Sequence, residues 1–72
     1  MRRFGEKLRT LRKQRGLTLQ ELASELGFAT HSYLSKLERG DKMPTSQLIL
    51  DVSRFFNVPA DLLIKDELEL DE

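Results

Sequence analysis

The 72-residue sequence contains no cysteine and one histidine, His31. The lack of cysteine excludes disulfides and thiolate metal sites, and a single histidine cannot build a metal site. The sequence also lacks a hydrophobic run of membrane-spanning length, and its first ten residues, MRRFGEKLRT, contain no signal-peptide segment. Gly-rich phosphate loops and clustered nucleophile–base pairs are absent as well. We therefore expect a single soluble, cytoplasmic domain that has no cofactor, no membrane contact and no enzymatic activity.

The net charge is zero, but the charges are distributed unevenly along the chain. Residues 1–42 carry ten Lys and Arg against five Asp and Glu, whereas residues 43–72 carry two against seven. Such an asymmetry is expected of a protein with one DNA-facing side and one solvated or self-associating end. Ordinary solubilising charge is the alternative interpretation.

Periodic apolar residues and helix-end signals predict five short helices. Phe4, Leu8 and Leu11 share one helical face, and Gly16 suits the left-handed end of that helix. Thr18 and Glu21 form a capping-box pattern for a second helix, which ends at Gly27. The predicted buried positions of the second helix are Leu22, Ala23 and Leu26.

The second half of the chain continues this pattern. Thr30 is the predicted N-cap of a third helix that ends at Gly40, and Thr45 is the predicted N-cap of a fourth that ends at Asn57. Pro59 precedes a short fifth helix, so the fold class is an all-α five-helix bundle. We expect the fourth helix to bury Leu48, Val52 and Phe55, together with some of the three residues Ile49, Leu50 and Phe56.

The third predicted helix carries the pattern that indicates function. Leu34 and Leu37 anchor it to the core, which leaves a polar stripe without acidic residues on its opposite face: His31, Ser32, Ser35 and Lys36. A helix with hydrogen-bonding side chains on one face fits the major groove of DNA, which offers donors and acceptors. Plain exposed helix surface is the alternative for Ser32 and Ser35, and the charge state of His31 is open.

Residues 4–64 resemble the phage-repressor and Cro-like helix-turn-helix domains, also called lambda-repressor-like or XRE-type. The segments that carry the resemblance are LRKQRGLT (11–18), QELASELG (20–27), YLSKLERG (33–40) and MPTSQLILDVSRFFNVPADLL (43–63). Two features depart from the family pattern. Leu19 stands where members often have a phosphate-contacting Gln, and the turn after Gly27 is one residue longer than usual.

The resemblance implies roles for individual residues. It places the helix-turn-helix at residues 18–39, the recognition helix at 30–39, and base contacts at His31, Ser32, Ser35 and Lys36. It implies phosphate contacts for Gln20, Thr30, Tyr33, Arg39 and Lys42, with space filling as the alternative for Tyr33. It also implies a structural ion pair between Arg12 and Glu38. Most of the basic N-terminus is expected to be solvated helix face, with phosphate contact as the alternative; its residues are Arg2, Arg3, Lys7, Arg9 and Lys13.

The resulting hypothesis is a sequence-specific regulator of transcription, most often a repressor, that binds double-stranded DNA in a bacterial or phage context. The rival is a protein-interaction or antitoxin-like module that does not itself recognise DNA. Residues 1–65 form the predicted DNA-binding domain and residues 66–72 an acidic tail. In this tail, Leu68 and Leu70 alternate with acids, which favours an extended segment joining a homodimer, or else a disordered solubilising tail. A small-molecule effector is not expected.

Overall fold

The computed structural model describes residues 2–70 and shows five helices connected by short turns. These are α1 (Phe4–Gln14), α2 (Leu19–Glu25), α3 (Ser32–Arg39), α4 (Ser46–Phe56) and α5 (Ala60–Ile64). No β-strand occurs between residues 2 and 70. Over the same residues, every helix is too short or too polar to cross a membrane. The predicted all-α, five-helix architecture is confirmed.

Most helix ends follow the capping chemistry that the sequence predicts. The Thr18 hydroxyl accepts the N–H of Glu21 at 3.1 Å, and the Glu21 carboxylate accepts the N–H of Thr18 at 2.8 Å. This is the predicted capping box of α2. Thr45 caps α4 in the same way, through the N–H of Leu48 at 3.1 Å. Asn57 ends α4 in the left-handed conformation, with a φ of 56°.

The core lies where α1 packs against α3 and α5, with α4 on α5 and α2 on α3. Its buried apolar residues include the predicted stripes of α1 and α3 and most of the expected residues of α4: Phe4, Leu8, Leu11, Leu22, Ala23, Leu34, Leu37, Leu48, Ile49, Val52, Phe56 and Leu63. Two residues differ from the expectation, since Phe55 and Leu26 are only half-buried. Of Ile49, Leu50 and Phe56, the first and last are buried and Leu50 is exposed. The Arg15 guanidinium lies over the Phe55 ring, 5.6 Å from its centroid, and covers part of it.

Gly5 marks the closest approach of α1 to α3. A Cβ atom at this position would lie 2.0 Å from the backbone oxygen of Leu37 and 3.0 Å from that of Glu38. Only a residue without a side chain therefore allows the first turn of α1 to rest on the last turn of α3. This contact fixes the start of α1 relative to the C-terminal end of α3.

The prediction that Thr30 caps α3 is wrong. The helix begins at Ser32, and His31 is its N-cap, since the carbonyl of His31 accepts the N–H of Ser35 at 2.9 Å. The turn is longer because the N–H of Phe28 closes α2 by bonding the carbonyl of Ala23, which leaves residues 29–31 as bends. Without a side-chain cap at His31, an edge-on contact of the Phe28 and Tyr33 rings spans this turn at 5.5 Å.

The C-terminal segment is neither extended nor free. Residues 66–67 form a turn, and Leu70 packs against the hydrophobic core of its own chain. The carboxylate of Asp66 accepts the backbone N–H groups of Arg2 and Arg3, each at 2.9 Å. The expected alternation of Leu68 and Leu70 on an extended strand is therefore not seen, because turns and long-range hydrogen bonds fold the segment onto α1. Residues 71–72 of the predicted tail lie outside the described residues.

Lys7 and Arg3 are exceptions to the expected solvated basic N-terminus, in which Arg2, Arg9 and Lys13 are exposed. Lys7 is 1% exposed, and its Nζ donates to the carbonyl oxygens of Leu62 and Lys65 at the end of α5. Arg3 is half-buried and donates to both carboxylate oxygens of Glu69, at 2.8 and 3.0 Å. Both cations are therefore bound within the fold, because α5 and the segment after it supply oxygen acceptors beside α1.

Candidate nucleic-acid interface

The polar stripe of α3 faces away from the core. Leu34 and Leu37, at most 1% exposed, fix the rotation of the helix. His31, Ser32 and Lys36 are consequently exposed on the opposite side, whereas Ser35 is half-buried. The structure thus brings these four predicted base-contacting residues onto one surface, with His31 just before the helix rather than inside it.

The loop that follows α3 leaves the helix abruptly at Gly40. This residue has a φ of 82°, in the left-handed region that residues with side chains rarely adopt. Arg39 donates to the Asp41 carboxylate at 3.0 Å, and both side chains are about 60% exposed, as a surface pair. Lys42 follows and is exposed. Cationic side chains therefore flank the exposed stripe of α3 at its C-terminal end.

The remaining predicted phosphate contacts lie near the start of α2, in the turn between α2 and α3, and on α3 itself. Gln20 and Thr30 are exposed, the first near the start of α2 and the second in the bend before α3. The Tyr33 ring is half-buried against Phe28, and its hydroxyl donates to the backbone oxygen of Met43 at a long 3.5 Å. Tyr33 thereby connects α3 to the loop that carries Lys42.

Arg12 and Glu38 form a two-pronged ion pair that joins α1 to the last turn of α3. Arg12 Nε and Nη2 donate to the two Glu38 carboxylate oxygens at 2.8 and 3.0 Å, and Nη1 donates to the backbone oxygen of Leu17 at 2.9 Å. The side chains are 12% and 7% exposed. The hydrogen bonds that Arg12 donates to Glu38 raise the pKa of Arg12, against the opposing effect of burial. Neither group is available to DNA in this arrangement.

Sequence reasoning missed the clasp between α1 and the C-terminal segment, formed by Arg3, Lys7, Asp66 and Glu69. Hydrogen bonds from the N–H groups of Arg3 and Arg2 lower the pKa of Asp66 to about 2, and the Arg3 guanidinium lowers the pKa of Glu69. One signal could have revealed Lys7. It lies three residues after Phe4 and four before Leu11, within the buried stripe of α1, so its ammonium needed acceptors inside the fold.

The exposed side chains of this surface offer hydrogen bonds and charge. Within residues 2–70, no group of three His, Asp or Glu side chains comes together in a way that could hold a metal ion. The exposed stripe of α3 carries hydrogen-bonding and cationic side chains, and the acidic residue of the flanking loop, Asp41, is paired with Arg39. Such a surface suits an anionic, hydrogen-bonding partner. The fold and this surface together define a small helical domain with an exposed helix-turn-helix.

Comparison with known proteins agrees with this definition. A helix-turn-helix family model matches residues 8–63, which is more than half of the chain, and the chain belongs to this family. The HTH-type transcriptional regulator YazB of Bacillus subtilis is 34% identical over 64 residues, covering 89% of this chain and 91% of YazB. The cryptic phage CTXphi transcriptional repressor RstR of Vibrio cholerae is 33% identical over 70 residues, covering 96% of this chain and 62% of RstR.

A third relative is named as an activator of transcription, whereas RstR is named as a repressor. The HTH-type transcriptional activator BcrR of Enterococcus faecalis is 36% identical over 64 residues, covering 89% of this chain but 31% of BcrR. The chain thus spans less than two thirds of RstR and of BcrR, and nearly all of YazB. Family membership and these relatives identify the chain as a DNA-binding transcriptional regulator, in a family of regulators rather than enzymes.

Proposed function

We propose that this protein binds operator DNA sequence-specifically, with α3 in the major groove, and represses transcription by occupying the operator. The observation that carries the proposal is the exposed, acid-free stripe of α3, held outward by Leu34 and Leu37. A helix that is rigidly anchored on one face and offers hydrogen-bonding groups on the other can distinguish base pairs by their groove edges.

Within this proposal, Ser32 and Lys36 contact base edges directly, since both lie in the helix and are exposed. His31 and Ser35 are at the margins of the stripe and make the outer base contacts. Lys36 is the strongest candidate for specificity because a lysine can donate to the O6 and N7 acceptors of guanine. Phosphate contacts set the position of the helix without selecting sequence, and we assign them to Gln20, Thr30, Tyr33, Arg39 and Lys42.

We further propose that the protein acts in the cytoplasm as a symmetric homodimer on DNA. One recognition helix contacts only a few base pairs, whereas two copies related by a two-fold axis place two helices in successive major grooves, about 34 Å apart. Repression is favoured over activation by the likeness to RstR, a phage repressor, although BcrR is an activator. Reporter expression from a promoter that carries the selected site distinguishes repression from activation.

Selection of bound sequences from random duplex DNA, followed by binding titrations, tests the proposal. We expect an enriched site, and an affinity for that site that falls steeply with salt because phosphate neutralisation releases counterions. The absence of enrichment, together with salt-independent or undetectable binding, would favour the rival protein-interaction module. Such a result would remove α3 as a DNA-recognition helix.

Lys36→Ala provides the residue-level test. If Lys36 contacts a base, affinity for the selected site falls by about 5- to 150-fold, the equivalent of roughly 1–3 kcal/mol, and preference relaxes at one position. Lys65→Ala is the matched control, because Lys65 is an exposed lysine just after α5 in the acidic half of the chain. An equal loss on selected and random duplexes would make Lys36 a phosphate contact instead.

A further inference from the structure

A narrow groove lies beside the C-terminal end of α3, between the start of α1 and the loop after α3. Arg2, Phe4 and Gly5 line it on the α1 side, and the rest of the lining comes from the last turn of α3 and the loop after it: Leu37, Gly40, Lys42, Met43 and Pro44. Two of the lining residues are cations and none is acidic. The groove adjoins the end of the proposed recognition helix but includes none of its exposed stripe.

The cations of this groove differ from their neighbours in having no internal partner. Arg2 and Lys42 are exposed, and within residues 2–70 neither side chain donates a hydrogen bond or joins an ion pair. In contrast, Arg3 is held by Glu69 and Glu6, and Arg39 is paired with Asp41. The nearest acidic side chain of the loop is therefore already neutralised.

We propose that Arg2 joins Lys42, which is already assigned a phosphate contact, so that both cations bind one DNA phosphate at this groove. The inference rests on the proposed function and extends its contact surface to the start of α1. Arg2 supplies a planar guanidinium that can donate two parallel hydrogen bonds to phosphate oxygens, and Lys42 supplies a second, compact charge. A phosphate at this end of α3 fixes the depth and angle of the helix in the major groove.

Asp66 is the positioning residue of this site. The start of α1 has no side-chain cap of its own. The Asp66 carboxylate accepts the N–H groups of Arg2 and Arg3 at 2.9 Å, and its backbone oxygen accepts Arg3 Nη1 at 2.9 Å. The backbone of Arg2 is thereby held next to the groove, while Gly5 fixes the first turn of α1 against α3.

Salt-dependent binding to fluorescently labelled duplexes tests the two cations. Arg2→Ala and Lys42→Ala each weaken binding to selected and random duplexes alike, and the double variant lowers the magnitude of the salt slope by about 0.9, the value for one phosphate. If both proteins bind equally at about 1 M salt, this difference in slope makes the DNA affinity of the double variant roughly eightfold lower at about 0.1 M salt. Arg54→Ala removes an exposed arginine of α4 in the acidic half and leaves both quantities unchanged.

A double-mutant cycle tests Asp66. Asp66→Ala weakens DNA binding in the presence of Arg2 and has no further effect in the Arg2→Ala background, with folding of each variant checked by circular dichroism. Removing a negative charge would by itself strengthen DNA binding. An Asp66→Ala variant that binds DNA more tightly than the unaltered protein therefore overturns the positioning role. An equal loss with and without Arg2 also overturns it. Asp66→Asn, which keeps one carbonyl acceptor, replaces Asp66→Ala in the cycle if the latter is unfolded.

The two proposals fail differently. If Lys36→Ala relaxes base preference while Arg2→Ala behaves like Arg54→Ala, the phosphate groove is wrong and the recognition helix stands. If the unaltered protein shows no binding to any duplex, both proposals are wrong.

Discussion

Replacing Arg12 by methionine is expected to destabilise the fold severely without changing DNA specificity. The substitution removes three hydrogen bonds, two to the Glu38 carboxylate and one to the Leu17 carbonyl, while retaining much of the side-chain volume. Glu38, at 7% exposure, would remain as a charge without its partner. Removing one member of a buried pair costs about 3–5 kcal/mol, much of it the penalty of the charge left behind.

This cost is large relative to the expected stability of so small a domain. At roughly 0.05–0.15 kcal/mol per residue, 72 residues give about 4–11 kcal/mol in total. A loss of about 3 kcal/mol lowers the melting temperature of a domain of this size by about 12–24 °C. Thermal and urea unfolding, followed by circular dichroism, measure both quantities.

Two companion variants make the test of Arg12 specific. Arg9→Met removes an exposed arginine from the same helix and is expected to leave stability nearly unchanged. The pair Arg12→Met with Glu38→Leu removes both charges and is expected to recover much of the loss, because apolar replacements of buried pairs are often neutral. Unchanged melting of Arg12→Met, combined with weaker DNA binding, would refute the reasoning and place Arg12 on the DNA surface.

Two further outcomes are expected at the start of α1. Gly5→Ala is expected to destabilise the protein by about 1–3 kcal/mol or more, because the alanine Cβ would lie 2.0 Å from the backbone oxygen of Leu37. Equal urea midpoints for this variant and the exposed control Lys13→Ala would contradict the close contact. Asp66→Asn is expected to change the pH dependence of the free energy of unfolding. The pKa of Asp66 falls from an ordinary 3.8 to about 2 in the fold, so its contribution is present above pH 4 and is lost toward pH 2. The stability difference between Asp66→Asn and the unaltered protein should therefore shrink over this interval, and a difference independent of pH would contradict the assignment.

The fold was predictable from the sequence where local chemistry decides the outcome. Thr18, Glu21 and Thr45 cap their helices through side chains that act within three residues, so the pattern alone identifies them. The apolar stripes of α1 and α3 likewise follow from helical periodicity. The exposed face of α3 is then fixed by the position of Leu34 and Leu37.

The errors arose where a residue is controlled by contacts that are distant in the chain or by backbone conformation. Thr30 has a suitable side chain for an N-cap, but closure of α2 through Phe28 moves the helix start to Ser32. Lys7 can be buried because carbonyl groups more than fifty residues away accept hydrogen bonds from its ammonium. Asp66 binds the N–H groups of Arg2 and Arg3 across more than sixty residues, and no local pattern encodes such a contact.

The position of the C-terminal segment also constrains how two copies can pair. Leu70 packs on the core of its own chain, and Asp66 and Glu69 hold the start of α1. A dimer built from an exchanged or extended tail must first break these contacts, at a cost to the stability of α1. Deleting residues 66–72 would remove the α1 contacts as well as any partner contact, so the loss of a dimer in that variant would have two explanations. Substitution of half-buried Leu68 by serine leaves Asp66 and Glu69 in place. If the mass of this variant in solution falls to that of a monomer, the tail mediates the dimer; if the dimer persists, it forms elsewhere.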